Sequence, residues 1–244
     1  MSTFVLIHGA WHGGWCWARV APLLRAQGHE VHTPTLAGMG EHAHLLSKQI
    51  TVDTHIEDVV SLVETWELTD VVLVGHSYGG HIITGAADRL DGTHRLARLV
   101  YVDAVVPKDG DGWYSSNKPE QVAARHQAAR ASGGLFIPAP EAAAFGITDP
   151  ADIAWVARRL RPHPYGCYLS PQRLPNLAQG RGAATLPRTY IDCVKPLYSD
   201  FNGLKARIKA DPAWKYIELA TGHDAMVSAP AELSAHLVRD PRGP

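Results

Sequence analysis

The sequence lacks several features that would place a protein outside the ordinary globular classes. Its 244 residues include three cysteines, Cys16, Cys167 and Cys193, which are too few and too widely spaced for a disulfide framework or a zinc pattern. No apolar run reaches the roughly 18 residues that a membrane helix needs. The opening residues, MSTFVLIHGA, have no basic signal-peptide region and predict a strand. We therefore expect a cytoplasmic protein with no bound metal and no membrane partner.

An excess of charge of one sign is also absent. The chain has 23 lysines and arginines against 24 aspartates and glutamates, for a formal charge of −1. The net charge therefore indicates no binding to nucleic acid or to an acidic membrane surface. Hydrophobic residues make up 45% of the chain and charged residues 19%, which excludes disorder and predicts a single folded domain. The sequence leaves monomer and homodimer open.

Strand patterns alternate with helical patterns in both halves of the chain. Short apolar or β-branched runs predict strands near 4–7, 30–35, 71–74, 99–102, 188–194 and 215–220. Helical patterns follow near 15–27, 54–63, 79–90, 120–131 and 151–160. This alternation predicts an α/β protein with a mostly parallel sheet and right-handed crossovers.

The stretch 106–186 interrupts this alternation, because it is rich in proline, alanine and aromatic residues and contains no strong strand pattern. Parallel sheets bind ligands beyond the carboxyl ends of their strands. We therefore predict a core formed by 1–105 and 187–244, with 106–186 inserted as a cap over that edge.

The most informative motif is Gly75-His76-Ser77-Tyr78-Gly79, which lies directly after an apolar strand and directly before a helix. The small residues on either side of the serine permit a tight turn that exposes its hydroxyl at the helix N-terminus. The helix dipole and the backbone N–H of Tyr78 would face negative charge that develops on a substrate oxygen. This motif predicts Ser77 as a nucleophile.

A serine nucleophile needs a base, and a third group must orient that base. His223 follows the last predicted strand in the segment TGHDAM, which is where the base is expected. Most of the 14 histidines must be structural or solvated, and His76 belongs to the turn itself. We therefore predict His223 as the base.

Three segments in combination, FVLIHGAWHGGWCW, GHSYGG and TGHDAM, resemble the α/β-hydrolase superfamily across essentially the whole chain. More narrowly, they resemble the branch of plant methyl-ester esterases, hydroxynitrile lyases and small bacterial esterases, which includes benzimidazole-carbamate hydrolases. The resemblance implies an α/β-hydrolase fold, with a mostly parallel central sheet flanked by helices and a helical cap at 106–186. It also implies an oxyanion hole formed by the backbone amides of Ala10 and Tyr78.

Two differences separate the chain from the lyases of this branch. The lyases carry a threonine where Gly9 stands, and a lysine where Asp224 follows the histidine. Without that hydroxyl and that ammonium group, stabilisation of a cyanide leaving group has no explanation. The resemblance therefore favours hydrolysis over lyase chemistry.

The acid is less clear than the other two groups. The plant esterases place an aspartate just beyond the strand that matches RTYIDCV, whereas residues 194–196 here are Val-Lys-Pro. Asp103, at the end of an apolar strand, and Asp200, ahead of a helical pattern, both preserve the order serine, acid, histidine. A carboxylate on a buried strand needs a partner, and the imidazolium of His223 would provide one. We favour Asp103, while Asp200 and a structural role for Asp103 stay open.

These patterns predict a cofactor-free serine hydrolase that cleaves a small carboxylic ester or carbamate ester through an acyl-enzyme on Ser77. The alternatives are a receptor-like binding protein with little turnover, and a cofactor-free lyase or cyclase of secondary metabolism. The pair His42 and His44 is too weak a pattern to indicate a metal. The aromatic residues that could line an acyl or aryl pocket are Trp113, Tyr114, Phe136, Trp155 and Tyr165.

Overall fold

A six-stranded sheet forms the centre of the computed structural model, which describes residues 1–239. Its strands are Thr3–Ile7 (β1), Glu30–His32 (β2), Val71–His76 (β3), Leu96–Val102 (β4), Arg188–Cys193 (β7) and Trp214–Leu219 (β8). The spatial order is β2-β1-β3-β4-β7-β8, and every neighbouring pair is parallel. This confirms the predicted parallel sheet. Strands β1 and β3 are buried along their whole length, as expected where helices cover both faces.

Within residues 1–239, ten α-helices surround and extend this sheet. They are Ala21–Arg25 (α1), Val52–Thr65 (α2), Gly79–Arg89 (α3), Pro119–Arg130 (α4), Pro150–Ala157 (α5), Gly166–Leu169 (α6), Pro175–Ala178 (α7), Leu204–Lys209 (α8), Ala225–Ser228 (α9) and Pro230–Val238 (α10). None of the helices within residues 1–239 combines the length and the apolar character needed to cross a bilayer.

The predicted continuous helix at 15–27 is wrong. A short 3₁₀ helix, Gly14–Trp17, comes first, and α1 begins separately at Ala21. Pro22 lies in the first turn of α1, where its missing N–H costs nothing. In the interior of a longer helix the same residue would remove a hydrogen bond and clash with the preceding turn, so the helix divides here.

Residues 106–186 connect β4 to β7 and contain α4 to α7. They also contain two strands of two residues each, Phe136–Ile137 (β5) and His163–Pro164 (β6), which pair in an antiparallel arrangement. Strands this short have no detectable periodicity, which explains why the sequence showed no strong strand pattern here. The division of the chain into a core and a cap stays a prediction.

The register of β3 and β4 brings two functional candidates to the same edge of the sheet. His76, the last residue of β3, pairs with Val102, the last residue of β4. The residues that follow, Ser77 and Asp103, therefore leave adjacent strands at the same level. Both have positive φ, +53° for Ser77 and +44° for Asp103, so both strands end in sharp turns.

Candidate active site

Ser77 occupies a strained turn between β3 and α3. Its φ of +53° lies in the left-handed region, which non-glycine residues seldom adopt and which is concentrated at functional sites. Its backbone N–H donates to the Val102 carbonyl oxygen at 3.1 Å. A Cβ at Gly75 would lie 2.6 Å from the carbonyl oxygen of Gly79, so the turn requires glycine there. The Ser77 side chain itself is partly exposed.

His223 and Asp103 are in direct contact. His223, in the loop between β8 and α9, donates from Nδ1 to Oδ2 of Asp103 at 2.5 Å, and both side chains are buried. Asp200 is exposed, and its carboxylate accepts instead from the backbone N–H of Asn202 at 3.1 Å. Of the two aspartates considered, the structure therefore places Asp103 beside the histidine.

The second nitrogen of the His223 ring is buried and has no hydrogen-bond partner within residues 1–239. Because Nδ1–H donates to the carboxylate, Nε2 carries the lone pair in the neutral ring. The ring of Tyr198 stacks on that of His223 with centroids 3.9 Å apart and planes at 13°, and Phe145 lies parallel to it at 6.2 Å. Hydrogen bonds between nucleophile and base are often unformed before substrate binds. Nε2 is therefore oriented as an acceptor and enclosed by aromatic rings.

Lys205, which the sequence interpretation missed, joins Asp103 to a second carboxylate. Its Nζ lies 2.5 Å from Oδ1 of Asp103 and 2.7 Å from Oδ1 of Asp192, and its exposed fraction is 5%. Burial alone would lower the pKa of Lys205, but the two carboxylates more than offset this and leave it raised. The Tyr216 hydroxyl donates to the other oxygen of Asp192. Lys205 is thus a buried cation that fixes the Asp103 oxygen facing away from His223.

The predicted oxyanion amides lie on two segments beside Ser77. Within residues 1–239, the backbone N–H groups of Ala10 and Tyr78 donate to no protein acceptor. A Cβ at Gly9 would lie 3.0 Å from the Ser77 Cβ and 2.8 Å from Nδ1 of His76. The loop can approach the serine this closely because residue 9 is glycine. The threonine that hydroxynitrile lyases carry at this position would have no room here.

Two buried hydrogen bonds from His8 support the loop that carries Ala10. His8 Nδ1 donates to the Gly9 carbonyl oxygen at 2.8 Å, and Nε2 accepts from the Leu36 amide at 3.1 Å. Burial lowers the pKa of His8 to about 3, with only partial opposition from the hydrogen bond to Gly9. The ring is therefore neutral near pH 7, as its accepting Nε2 requires.

A buried ion pair links the same loop to the residue after His223. His12 Nε2 lies 3.0 Å from Oδ2 of Asp224, and His12 Nδ1 donates to the Ala10 carbonyl oxygen at 2.8 Å. Burial acts to lower the pKa of His12, but the Asp224 carboxylate outweighs it and the pKa is raised. Burial likewise acts to raise the pKa of Asp224, and the histidines around it, His12 foremost, lower it instead. The pair ties the Ala10 loop to the His223 loop.

Two of the aromatic residues that the sequence suggested as pocket walls, Trp113 and Trp155, lie in different surroundings. Trp113 packs against the Tyr78 ring at 5.1 Å and against Trp11 at 5.7 Å, beside the candidate oxyanion amides. Trp155 packs against Trp15 instead, at 5.2 Å. Tyr198 and Phe145 were missed, because isolated aromatic residues in an irregular segment give no sequence signal.

His55, His163 and Cys167 are the described residues whose ligand atoms could together hold a metal, since these atoms lie within 4.8 Å of one another. His55 already contacts the Tyr78 hydroxyl through Nδ1 at 3.0 Å and donates through Nε2 to the Ala37 carbonyl oxygen at 2.8 Å. Burial raises the pKa of Cys167 to about 12, so the thiol keeps its proton. We assign no metal to this cluster.

A cavity of about 550 Å³ lies apart from Ser77 and His223. Its walls come from α3, α7, α8 and the ends of β4 and β8, and include Thr84, Leu177 and Trp214. It contains none of the predicted site residues. We place the reaction at Ser77 and His223 and not in this cavity.

Comparisons with known proteins concern the chain as a whole. Residues 4–236 match the model of the alpha/beta hydrolase family. The chain is 41% identical over 248 residues to the carbendazim hydrolyzing esterase of Nocardioides sp. (strain SG-4G), covering 97% of this chain and 98% of the relative. It is 28% identical over 254 residues to methyl jasmonate esterase 1 of Vitis vinifera, covering 96% and 94% of the two chains.

Among solved structures, an extracellular alpha/beta-hydrolase from a Paenibacillus species superimposes with a TM-score of 0.86 at 24% identity and full coverage of both chains. At that identity the likeness concerns the fold, and it matches the parallel sheet described above. The family match and the Nocardioides relative each span nearly the entire chain. The chain belongs to the alpha/beta hydrolase family and is an esterase of that family.

Proposed function

We propose that this protein is a serine esterase that cleaves a small carboxylic ester or carbamate ester through an acyl-enzyme on Ser77. The observation that carries the proposal is the 2.5 Å contact between His223 Nδ1 and Asp103 at the edge of the sheet where Ser77 leaves its strained turn. The contact fixes the tautomer that a base needs, because it leaves the lone pair on Nε2. Similarity to esterases named for carbendazim and methyl jasmonate supports both substrate classes.

The reaction follows from these positions. Ser77 Oγ attacks the substrate carbonyl carbon while His223 Nε2 takes its proton, and the amides of Ala10 and Tyr78 stabilise the oxyanion. The intermediate collapses as His223 returns the proton to the leaving alcohol. Water activated by His223 then attacks the acyl-enzyme and releases the acid, or a carbamic acid in the case of a carbamate. Every group required is a side chain or a backbone amide, so the mechanism needs no cofactor.

Segment 106–186 is proposed as the cap that covers this reaction. Its Trp113 packs against Tyr78, which supports the assignment. Exclusion of water by such a cover would strengthen the electrostatic interactions at the oxyanion. We also propose a cytoplasmic location, with which the three buried free thiols agree.

The test is Ser77→Ala, assayed against a panel of aryl esters, alkyl esters and carbamates. Removal of a serine nucleophile can lower kcat by about 10⁶-fold, so turnover should disappear while the circular dichroism spectrum is retained. A nitrophenyl ester should give a burst with wild type, and mass spectrometry should locate the acyl group on Ser77. Retention of a tenth of wild-type activity by Ser77→Ala would refute the proposal. Ligand binding without turnover by wild type would favour the receptor-like alternative.

A further inference from the structure

Arg125, on α4, lies against an aromatic cage formed by Trp11, Trp113 and Tyr168. Its guanidinium carbon is 4.8 Å from the ring centroid of Trp113, 5.2 Å from that of Trp11 and 5.6 Å from that of Tyr168. Cation–π attraction across three rings holds the side chain in place. Nη1 of Arg125 is nevertheless buried and has no hydrogen-bond partner within residues 1–239.

The cage adjoins the candidate active site. Trp11 is the residue after Ala10, and the Trp113 ring packs against the ring of Tyr78 at 5.1 Å. Arg125 is also within electrostatic range of Tyr198, the residue stacked on His223. Burial raises the pKa of Tyr198, and the Arg125 charge opposes that shift. Arg125 therefore lies near both the candidate oxyanion amides and the candidate base.

The charge of Arg125 is not balanced by the protein around it. Among residues 1–239, no carboxylate forms an ion pair with it, and burial lowers its pKa. Arg125 is partly buried, and its Nη1 is fully buried. Withdrawing part of a cation from water without a counter-ion is costly, and a position facing three rings could be filled by an apolar side chain with no such cost. The arrangement is explained if an acceptor on a ligand completes it.

A second group without a hydrogen-bond partner within residues 1–239, His163, packs against the same cage. The His163 ring lies 4.7 Å from the Trp113 centroid and 6.4 Å from that of Trp11, and both of its nitrogens are buried without a partner within the described chain. Burial lowers its pKa well below the usual range, so the ring is neutral and keeps one N–H to donate. Ligand pockets of this kind are mostly apolar, with a few polar groups that fix orientation.

We propose that Arg125 binds a carboxylate or an equivalent anionic acceptor on the aromatic part of the substrate, at the end remote from the scissile ester. The flat walls supplied by Trp11 and Trp113 select a planar ring, and the guanidinium offers the forked donors that match a carboxylate. Helix α4, which carries Arg125, buries only Ala129 completely. This inference deepens the proposed function and rests on it for the location of the scissile bond.

The experiment uses Ser77→Ala, which cannot turn the ligands over, and isothermal titration calorimetry. The ligands are monomethyl terephthalate and methyl 4-carbamoylbenzoate, with the meta isomers as a second pair, so that only the remote carboxylate differs from a carboxamide. In one of the two pairs, we expect the ligand with the carboxylate to bind at least tenfold more tightly than the ligand with the carboxamide. In the Ser77→Ala background, Arg125→Met should abolish this preference, whereas a protein with Arg125→Lys should retain part of it.

The matched control is Arg130→Met, because Arg130 is exposed on the same helix and its loss changes the net charge equally. It should keep the full preference. Equal affinity for carboxylate and carboxamide in both pairs would overturn the inference, as would an Arg125→Met protein that keeps the preference. Since binding needs neither Ser77 nor turnover, an inactive wild type with an intact preference would refute only the proposed function. If Arg125→Met fails to fold, Arg125→Gln replaces it.

Discussion

Lys205 Nζ lies 2.5 Å from one oxygen of Asp103, whose other oxygen receives a hydrogen bond from His223 at the same distance. The carboxylate is therefore held between an ammonium group and an imidazole. Oδ1 of Asp192 lies 2.7 Å from the same ammonium nitrogen. A buried carboxylate fixed at both oxygens cannot rotate away from the histidine, so Lys205 is a positioning residue for the proposed acid.

We predict that Lys205→Met lowers kcat by about 10²-fold, because misplacement of a catalytic group by about 1 Å can cost that much. It should also reduce the free energy of unfolding by about 3–5 kcal/mol, since two buried carboxylates lose their cation. Steady-state kinetics and urea unfolding measure the two effects.

The control for this prediction is Lys209→Met, because Lys209 lies on the same helix in an exposed pair with Glu218. The double variant Lys205→Met/Asp192→Asn restores the local net charge of the wild type. It should recover much of the stability but not of kcat, since Oδ1 of Asp103 then has no cation to hold it. Full recovery of kcat would show that Lys205 acts only through stability.

A second prediction concerns the identity of the acid. Asp103→Asn should lower kcat by about 10⁴-fold, because an amide in place of the carboxylate leaves the histidine in the wrong tautomer. Asp200→Asn is the matched control, since that carboxylate is exposed and accepts only from a neighbouring amide. It should stay near wild type. Inactivation by Asp200→Asn with an active Asp103→Asn protein would reverse the assignment.

The fold was predictable from sequence because its signals are local. The apolar run of β3 followed by a G-x-S-x-G turn predicts a strand, a sharp corner and a helix from adjacent residues. The sequence favoured the pairing of Asp103 with His223 but left an alternative open. The two residues are 120 positions apart, and each follows a different strand. The preference for Asp103 came from the free-energy cost of burying a carboxylate at the end of a strand without a partner.

Other parts of the site gave no signal because their meaning lies in distant contacts. Lys205 resembles any helical lysine until the fold places its ammonium group between two carboxylates. Arg125 likewise belongs to a polar helical pattern, and only the three rings around it show that it is enclosed. Charged residues that tertiary structure buries are therefore the part of this site that sequence patterns cannot supply.

A third prediction follows from the ion pair between His12 and Asp224. A raised pKa for His12 contributes stability that is fully present below the unfolded value of 6.5 and is lost as pH rises through the folded value. The free energy of unfolding should therefore decline on the alkaline side of neutrality. His12→Asn should remove this decline and reduce kcat, because the Ala10 carbonyl loses its donor.

The control for the ion pair is His32→Asn, since His32 contacts Glu30 at the surface at 2.8 Å. Urea unfolding at pH 7, 8 and 9 would compare the three proteins. An alkaline decline that is identical in wild type and in His12→Asn would show that another group is responsible.

The last prediction concerns the stability of the fold at acidic pH. Burial lowers the pKa of His8 to about 3 and the pKa values of His55 and His81 to about 4, so each is neutral in the folded protein at pH 7. The unfolded chain takes up protons at these histidines once the pH falls below 6.5. Stability should therefore fall between pH 6.5 and 4, by up to about 1.4 kcal/mol per pH unit for each histidine. Together the three rings would remove about 6 kcal/mol by pH 5, so a domain at the lower end of the usual range of about 5–15 kcal/mol should unfold there. Thermal melts from pH 7 to 4.5 would measure the slope, which His81→Gln should reduce because it removes one of the titrating rings. The exposed His44→Gln should leave it unchanged. A melting temperature that stays constant from pH 7 to 5 would contradict the assignment of neutral, buried rings.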